Sequence, residues 1–286
     1  MTAGKAPARD FLGRIRSAAV HLLPRRALAE VRRRRMERRY ARFPSRVVTR
    51  DYAGEPLRLR IADPVGEAWY DCDWTEPPEV ALLRQGRLRP GATVFDLGAH
   101  QGVVALLLAR VVGPDGCVVA VEASGHEVEI ARENLALNGD PRVELVHAAV
   151  AARPGVIQFG LDGEVARPGG EWPTVELEAV TVDLLAERHG APDVLFIDVE
   201  GFEREALQGA RDVLASRPDA FVEVHGAEAL GRFGASVADV LEYFPAADYE
   251  VYAGSPGRAF EPLERSSPPQ ERFFLVALAR GPVTGS

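Results

Sequence analysis

A short strand, a glycine loop and a helix follow one another from Thr93 to Val112, and this stretch most constrains the fold. Thr93–Leu97 is apolar and β-branched, which predicts a buried strand. Val103–Val112 is an apolar run ended by Gly113-Pro114, which predicts a helix. Glycines let the loop between them approach a ligand closely, and the helix N-terminus offers unpaired N–H groups. The loop is therefore suited to hold the polar part of a nucleotide-like cofactor.

The spacing of this loop indicates which cofactor it holds. Asp96, Gly98 and Gly102 give the pattern D-x-G-x-x-x-G, whereas a dinucleotide-binding loop carries G-x-G-x-x-G. A diphosphate is disfavoured beside Asp96, but an ammonium and a sulfonium are attracted by it. The sequence therefore predicts S-adenosylmethionine (SAM) as the cofactor, held by Asp96, Gly98, Ala99 and Gly102.

Beyond residue 91, predicted strands alternate with predicted helices, which indicates an α/β fold with a mostly parallel sheet. The later strands are predicted at Cys117–Glu122, Arg142–Val146, Val194–Val199, Ala220–His225, Tyr249–Ala253 and Arg272–Ala279. The helices are predicted at Gly125–Asn138, Thr181–His189, Glu203–Ala215 and Val237–Phe244. A long polar connection joins the last two strands, so we expect them to form an antiparallel edge.

The charge of the chain is unevenly distributed. Residues 1–50 hold 15 Lys/Arg and 3 Asp/Glu, a balance of +12, while the rest of the chain has a balance of −20. An acidic body disfavours nucleic acid as a specific partner. The basic N-terminal extension is either a solvated segment or one that contacts an anionic surface or a partner protein.

Composition also bounds the compartment and the domain plan. Two cysteines and the absence of a long apolar run predict a cytoplasmic protein without a transmembrane segment. We divide the chain into a basic, partly helical extension (1–45), a lead-in of strands and a helix (46–90), the main domain (91–280) and a frayed tail (281–286). In the lead-in, Trp69, Tyr70 and Trp74 are candidates either for core packing or for contact with a substrate.

Glu122 is the second candidate for binding the cofactor. It ends the second strand of the main domain, 26 residues after Asp96. An acid at that place in a βαβ unit accepts hydrogen bonds from the ribose hydroxyls of an adenosine. This feature suits SAM and NAD equally. Ala148 and Ala149, just after the third strand, are small enough to pass beneath an adenine ring.

Two later strands each end in a pair of ionisable residues. Asp198 and Glu200 follow one strand, and Glu223 and His225 follow the next, each pair at i and i+2 on the same side of its strand. Ligands bind outside the carboxyl ends of parallel strands. We predict His225 as a general base for a hydroxyl, Asp198 as a contact of the cofactor or the hydroxyl, and Glu200 and Glu223 as groups that orient His225. The same four residues, Asp198, Glu200, Glu223 and His225, also suit a divalent metal, which we do not favour.

Five blocks of the sequence resemble the FkbM family of SAM-dependent methyltransferases in order and spacing. They are Asp96–Gly102, Val121–Ala123, Ile197–Gly201, Leu207–Ala210 and Glu223–His225. The resemblance covers roughly residues 80–280. It implies a Rossmann-like class I methyltransferase fold, with seven strands, one of them antiparallel, and helices on both faces. It also implies O-methylation of a natural product or a sugar, with Asp96, Gly98, Gly102 and Glu122 at the SAM site and Asp198, Glu200 and His225 at the strand ends.

We therefore predict a SAM-dependent O-methyltransferase whose acceptor is a hydroxyl of a small molecule. Two alternatives remain open. One is a non-catalytic protein that binds SAM and uses its basic extension for interaction. The other, an NAD-linked oxidoreductase, is disfavoured because the glycine loop lacks the dinucleotide pattern.

Overall fold

The computed structural model describes residues 31, 34, 35, 38, 40–160, 174–256 and 258–281. Most of the basic, partly helical extension predicted at residues 1–45 lies outside these residues, as do residues 161–173. Within the described part of the chain, no helix has the length and apolar character needed to cross a bilayer.

A small lead-in unit precedes the main sheet. Its elements are strands β1 (Arg46–Tyr52) and β2 (Glu55–Ile61) and helices α1 (Pro64–Tyr70) and α2 (Pro78–Leu83). The two strands form an antiparallel hairpin, and the side chains of Leu57 and Leu59 are fully buried against the main domain. The backbone N–H of Arg60 donates to the side chain of Asn134 at 2.7 Å, so part of the exposed strand edge is satisfied by the main domain.

Helix α1 was not predicted from the sequence. Asp63 caps it, because one carboxylate oxygen accepts from the N–H groups of Val65 and Gly66 at 2.8 Å each, and Pro64 is the first helical residue. An acid followed by proline is an ordinary start signal for a helix. The signal is therefore present in the sequence, and the prediction overlooked it.

The first half of the main domain is a βαβαβ unit. It contains β3 (Thr93–Leu97), α3 (Val103–Val112), β4 (Cys117–Glu122), α4 (Gly125–Asn138) and β5 (Val143–His147). A three-stranded side sheet and a helix follow: β6 (Ala149–Val150), β7 (Gly155–Gly160), β8 (Thr174–Val180) and α5 (Val182–His189). Thr181 caps α5 through a hydrogen bond from the N–H of Leu184.

The second half completes the central sheet. Its elements are β9 (Val194–Ile197), α6 (Glu203–Gln208), α7 (Arg211–Ala215), β10 (Asp219–Val224), α8 (Gly226–Gly231), α9 (Val237–Leu241), β11 (Tyr249–Gly254), β12 (Glu261–Pro262) and β13 (Phe273–Ala279). The single helix predicted at Glu203–Ala215 is divided in two. Gly209 ends the first part, and a carboxylate oxygen of Asp183 accepts from the N–H groups of Asp212 and Val213 at the start of the second.

The strand order of the central sheet is β12-β11-β13-β10-β9-β3-β4-β5. The five strands from β10 to β5 are parallel neighbours, and β13 runs antiparallel to both β10 and β11. This order confirms the predicted α/β sheet and its antiparallel edge. It differs only in β12, a two-residue strand that adds an eighth member and is also antiparallel to its neighbour.

Helices cover both faces of the sheet. Along β10, Ala220, Val222 and Val224 face the layer of α5 to α9, whereas Phe221 faces the layer of α2 and α3. Alternate residues of a strand point to opposite faces, so the residues Ala220–Val222 in the middle of this doubly covered strand are all apolar. This arrangement leaves the carboxyl ends of the parallel strands as the open edge where a site can form.

Candidate functional site

A cavity of about 810 Å³ lies at the carboxyl ends of β3, β4, β9 and β10. Its walls come from α1, the glycine loop, the residues after each of these strands, and the β7–β8 hairpin. The volume is in the range of small-molecule sites, and the position is where ligands of open α/β sheets bind. Most of the residues predicted to be functional lie in or directly beneath this cavity.

Gly98 allows the glycine loop to touch the neighbouring strand end. Its φ is +94°, and a Cβ added there would lie 1.7 Å from the carbonyl oxygen of Asp198. The backbone after β3 and the backbone after β9 are therefore in contact at a distance that only glycine permits. This contact fixes the position of Asp198 relative to the loop.

We expect Gly98→Ala to destabilise the protein by about 3 kcal/mol or more, because a clash with backbone adds to the strain of a positive φ. The matched control is Gly139→Ala. Gly139 also has a positive φ, +57°, but a Cβ there would meet no atom within 4 Å. Its loss should stay near about 1 kcal/mol. Urea unfolding followed by circular dichroism measures both, and equal losses would contradict the close approach at Gly98.

Glu122 lies at the end of β4 with its carboxylate held in place. Its side chain accepts from the backbone N–H of His100 at 2.8 Å through one oxygen and from that of Ser124 at 2.6 Å through the other. Each oxygen keeps a further lone pair, and the residue is on the cavity wall. Burial raises the pKa of Glu122 above its ordinary value, although the two amide donors favour the ionised form.

Asp96 lies beneath the cavity wall. Its side chain is 2% exposed, and one carboxylate oxygen has no hydrogen-bond partner in the described part of the protein. Burial, and then the charge of Glu122, raise the pKa of Asp96 to about 7. A buried carboxylate without a partner is costly, and a nearby cation would relieve that cost.

The other residues predicted for the cofactor divide between wall and support. Ala148 and Ala149 are buried and line the cavity. Ala99 and Gly102 lie behind it: the N–H of Ala99 donates to the carbonyl of Val121, and Gly102, with a φ of +75°, begins α3. These two residues shape the loop and do not form the wall.

Asp198, Glu200 and His225 come together at the neighbouring strand ends. Nε2 of His225 is 3.6 Å from Oδ1 of Asp198 and 3.2 Å from Oε2 of Glu200. The strand predicted at Val194–Val199 is two residues too long, because β9 ends at Ile197. The strand predicted at Ala220–His225 is one residue too long, because β10 ends at Val224. The acids are thus not on one side of a strand as predicted. A turn after β9, in which Glu200 has a φ of +52°, brings them together.

The prediction that Glu223 orients His225 is wrong for its side chain. Nδ1 of His225 hydrogen-bonds Oε1 of Glu203 at 2.6 Å, and only the backbone carbonyl of Glu223 approaches the same nitrogen, at 3.2 Å. The carboxylate of Glu223 forms an ion pair with Arg272 instead.

The electrostatics of this cluster favour a protonated His225. Burial alone would lower the pKa of the imidazole, but the neighbouring carboxylates of Glu200 and Glu203 outweigh burial and raise this pKa to about 10. The proximity of His225 in turn lowers the pKa of Glu200. Burial, and then Glu223, raise the pKa of Asp198 well above its usual range. A free imidazole base at neutral pH, as predicted from the sequence, is therefore not the resting state of His225.

A second polar group on the cavity wall was not predicted. The hydroxyl of Tyr70 is 2.9 Å from Nδ1 of His100, and Nε2 of that ring is 3.4 Å from Glu127. Burial lowers the pKa of His100 and raises the pKa of Glu127 to about 7. The docking of α1 brings Tyr70 to the glycine loop, and no local sequence pattern signals this contact.

The three aromatic residues of the lead-in have different surroundings. Tyr70 is 8% exposed and lines the cavity, and Trp69 also lines it but is 53% exposed. Trp74 packs against Tyr52 with ring centroids 4.9 Å apart. Trp69 therefore offers an open apolar surface at the cavity mouth, while Trp74 belongs to the packing of the lead-in.

Comparison with known proteins supplies a family and several relatives. The family model described as the methyltransferase FkbM domain matches residues 96–251. An arsenite methyltransferase of Halobacterium salinarum is 44% identical over 57 residues, which are 20% of this chain and 15% of that protein. The chain also resembles the solved precorrin-6y C5,15-methyltransferase of Geobacter metallireducens, with 16% identity, 71% of this chain and 87% of that chain covered, and a TM-score of 0.43. It also resembles the solved FkbM methyltransferase of Methylobacillus flagellatus, with 16% identity and a TM-score of 0.42. That match covers 65% of this chain and 43% of the other.

Proposed function

The chain belongs to the methyltransferase FkbM family, and from this premise we propose that it is a SAM-dependent enzyme that methylates a hydroxyl oxygen of a small molecule. The observation that carries the proposal is the pairing of two groups in one cavity. Glu122 presents lone pairs suited to a ribose on one side, and Asp198 and Glu200, which the buried His225 contacts, line the other. A cofactor and an acceptor thus have separate places along the same strand ends.

The residues around Glu122 fit an adenosine carrying a positive charge. The carboxylate of Glu122 is fixed by two amides, so it accepts from a ribose diol without rearranging. Ala148 and Ala149 leave room for a flat base beside it. Asp96, with an unpartnered oxygen, supplies the negative charge beneath. When bound, SAM supplies a methyl group on a positively charged sulfur.

The acceptor side combines apolar surface with carboxylates. Val65 and Trp69 lie four residues apart on one face of α1, and both are about half exposed at the cavity. Val175 of the hairpin lines the cavity as well. An acceptor that rests an apolar or sugar-ring face on these residues would direct a hydroxyl toward Asp198 and His225. This arrangement supports a natural product or a sugar derivative as the acceptor class.

Two finer parts of the proposal concern the cellular compartment and the proton of the acceptor hydroxyl. Cys72 and Cys117 are both free, which supports a reducing compartment such as the cytoplasm. We also keep His225, Asp198 and Glu200 as the group that handles the hydroxyl proton. Since the pKa of His225 is raised to about 10, the imidazole accepts a proton only after it has lost the one it holds.

The cofactor is tested by calorimetric titration with S-adenosylhomocysteine and, separately, NADH. We expect micromolar binding of the first compound only, and a loss of about tenfold or more in Glu122→Gln, since hydrogen bonds to a charged group contribute about 1.5–3 kcal/mol each. The control is Glu144→Gln, because Glu144 lies on β5 with a side chain 59% exposed and pairs with His189. Binding of NADH, or equal effects of the two variants, would overturn the assignment of the cofactor site.

The reaction is tested with SAM that carries a ¹³C-labelled methyl group and a panel of hydroxylated small molecules. The chemical shift of the labelled carbon in the product distinguishes an O-methyl from an N-methyl or C-methyl group. An O-methyl product supports the proposal. Products that carry the label only on nitrogen or carbon would overturn the choice of acceptor atom, and cofactor binding without any turnover would favour a non-catalytic SAM-binding protein.

A further inference from the structure

Three atoms of the kind that bind metals meet at the ends of β9 and β10. They are Oδ1 of Asp198, Oε2 of Glu200 and Nε2 of His225, and all lie within 4.8 Å of one another. Asp198 and Glu200 also line the cavity, and the buried Nε2 of His225 lies within 3.6 Å of both side chains. An acidic cluster alone is common on protein surfaces and does not identify a site.

The state of His225 distinguishes this cluster from an ordinary one. Its side chain is 6% exposed, and within the described residues Nε2 has no partner in good hydrogen-bond geometry. Oδ1 of Asp198 is likewise without a hydrogen-bond partner there. Buried polar atoms are nearly always satisfied in native proteins. Here two of them face the same point, which indicates that a ligand belongs between them.

The other nitrogen of His225 is held from behind. Nδ1 hydrogen-bonds Glu203, whose side chain is fully buried and also accepts from the N–H of Gly201 at 2.9 Å. Carboxylates that fix one imidazole nitrogen so that the other points at a metal are a regular feature of metal sites. Once a cation has displaced the proton of Nε2, Glu203 therefore holds the tautomer in which Nε2 offers a lone pair to the point shared with Asp198 and Glu200.

The separations fit one six-coordinate cation. Bonds of about 2.1 Å at right angles place neighbouring ligand atoms about 3.0 Å apart. The observed separations from Nε2, 3.2 Å to Glu200 and 3.6 Å to Asp198, need only a small contraction. Two carboxylates with one imidazole are a ligand set suited to Mg²⁺ or Mn²⁺. Three ligands leave three positions for water or for a substrate.

We propose that Asp198, Glu200 and His225 bind one Mg²⁺ or Mn²⁺ ion, and that the acceptor coordinates it through its hydroxyl. The role of the acceptor rests on the proposed function, whereas binding of the cation does not. The cation lowers the pKa of the hydroxyl, whose proton passes to solvent water. The oxygen then forms a bond to the methyl carbon while the sulfur–methyl bond breaks and its electron pair returns to sulfur. His225 acts here as a ligand and Glu203 as a positioning residue.

A second acidic cluster provides an internal control. Asp63, His126 and Glu127 also place ligand-type atoms within 4.8 Å of one another. There, Oδ2 of Asp63 already accepts from the amide of Gln101 at 2.7 Å and lies 3.1 Å from Nε2 of His126, while Oδ1 caps α1. Asp63 and His126 are thus already paired with each other, and only Oε2 of Glu127 lacks a hydrogen-bond partner among the described residues. We expect them to leave the cation at the first cluster.

The test is titration of the full chain with Mn²⁺, followed by electron paramagnetic resonance of free Mn²⁺. We expect one site in the wild type. Asp198→Asn and His225→Ala should weaken it at least about 100-fold, and Glu203→Gln about tenfold, the range found for residues behind a metal ligand. Glu127→Gln should leave the titration unchanged. Competition with Mg²⁺ at the same site completes the assignment.

Circular dichroism shows whether each variant is folded, and binding of S-adenosylhomocysteine to the wild type separates the two proposals. No Mn²⁺ uptake by a wild type that binds S-adenosylhomocysteine would reject the metal site and leave the methyltransferase proposal standing. Uptake of Mn²⁺ without binding of S-adenosylhomocysteine would support the metal site and reject the methyltransferase proposal. Loss of Mn²⁺ in Glu127→Gln but not in Asp198→Asn would overturn the proposal by moving the cation to the other cluster.

Discussion

Replacing His225 by alanine is expected to lower the rate of methyl transfer at least about 100-fold, because the residue either takes the hydroxyl proton or binds the cation that lowers the pKa of that hydroxyl. The affinity for S-adenosylhomocysteine should change little, because His225 is on the side of the cavity formed by Asp198 and Glu200, whereas Glu122 is on the other. Rates are measured with the acceptor that yields an O-methyl product, and affinity is measured by calorimetry with S-adenosylhomocysteine. Together they separate the two effects. Equal loss of rate and affinity would remove His225 from the reaction.

Two further variants make this result interpretable. Alanine at position 225 leaves the buried carboxylate of Glu203 without its partner, and an unpaired buried charge destabilises a protein. His225→Gln keeps an amide donor near Glu203 but lacks the ring nitrogen, so it should fold well and still lose activity. His189→Ala is the control for loss of a histidine, because His189 pairs with Glu144 away from the cavity. Its activity should remain that of the wild type.

The affinity for SAM is expected to be about tenfold lower at pH 5.5 than at pH 7.5, because a carboxylate with a pKa near 7 loses its charge over that interval. The group is Asp96, whose pKa is raised to about 7 by burial and then by Glu122. With a pKa of about 7 in the folded protein, Asp96 is mostly neutral at pH 5.5 and mostly ionised at pH 7.5. Only the ionised form attracts a cation, so affinity is lost as the pH falls.

Calorimetry of SAM binding over this pH range tests the assignment. Asp96→Asn should bind SAM more weakly at pH 7.5 and show almost no dependence on pH. The matched control is Glu127→Gln, because the pKa of Glu127 is also raised to about 7 by burial. This variant should keep the dependence on pH. A dependence that survives in Asp96→Asn and disappears in Glu127→Gln would identify Glu127 as the responsible group.

Features encoded in contiguous sequence were predictable. The strand, glycine loop and helix around Gly98 follow from local residue types, and Glu122 follows from its place at the end of a strand. The alternation of strands and helices along the chain predicted the parallel sheet for the same reason. Local hydrophobic pattern and turn residues report on neighbours in the chain, which are also neighbours in these elements.

Contacts that depend on how elements dock were not predictable. Glu223 is closer to His225 in sequence than Glu203 is. Glu203 nevertheless hydrogen-bonds Nδ1, because the turn after β9 places the first residue of α6 beside the ring. Tyr70 meets His100 only because the lead-in packs on the main domain. Helix α1 is a different case, because its capping signal at Asp63 was present and overlooked. The raised pKa of His225 follows from the acids packed around it, which a linear pattern does not show.

The backbone at the cavity is held in a conformation that its side chains disfavour. Among the residues the structure describes, four that are not glycine have positive φ, and two of them, His100 and Glu200, line the cavity. Glycine would relax position 200 by about 1 kcal/mol. A selection for thermal stability alone would therefore tend to accept Glu200→Gly and discard the carboxylate. A thermostable variant obtained by such a selection should be sequenced at this position before it is judged active.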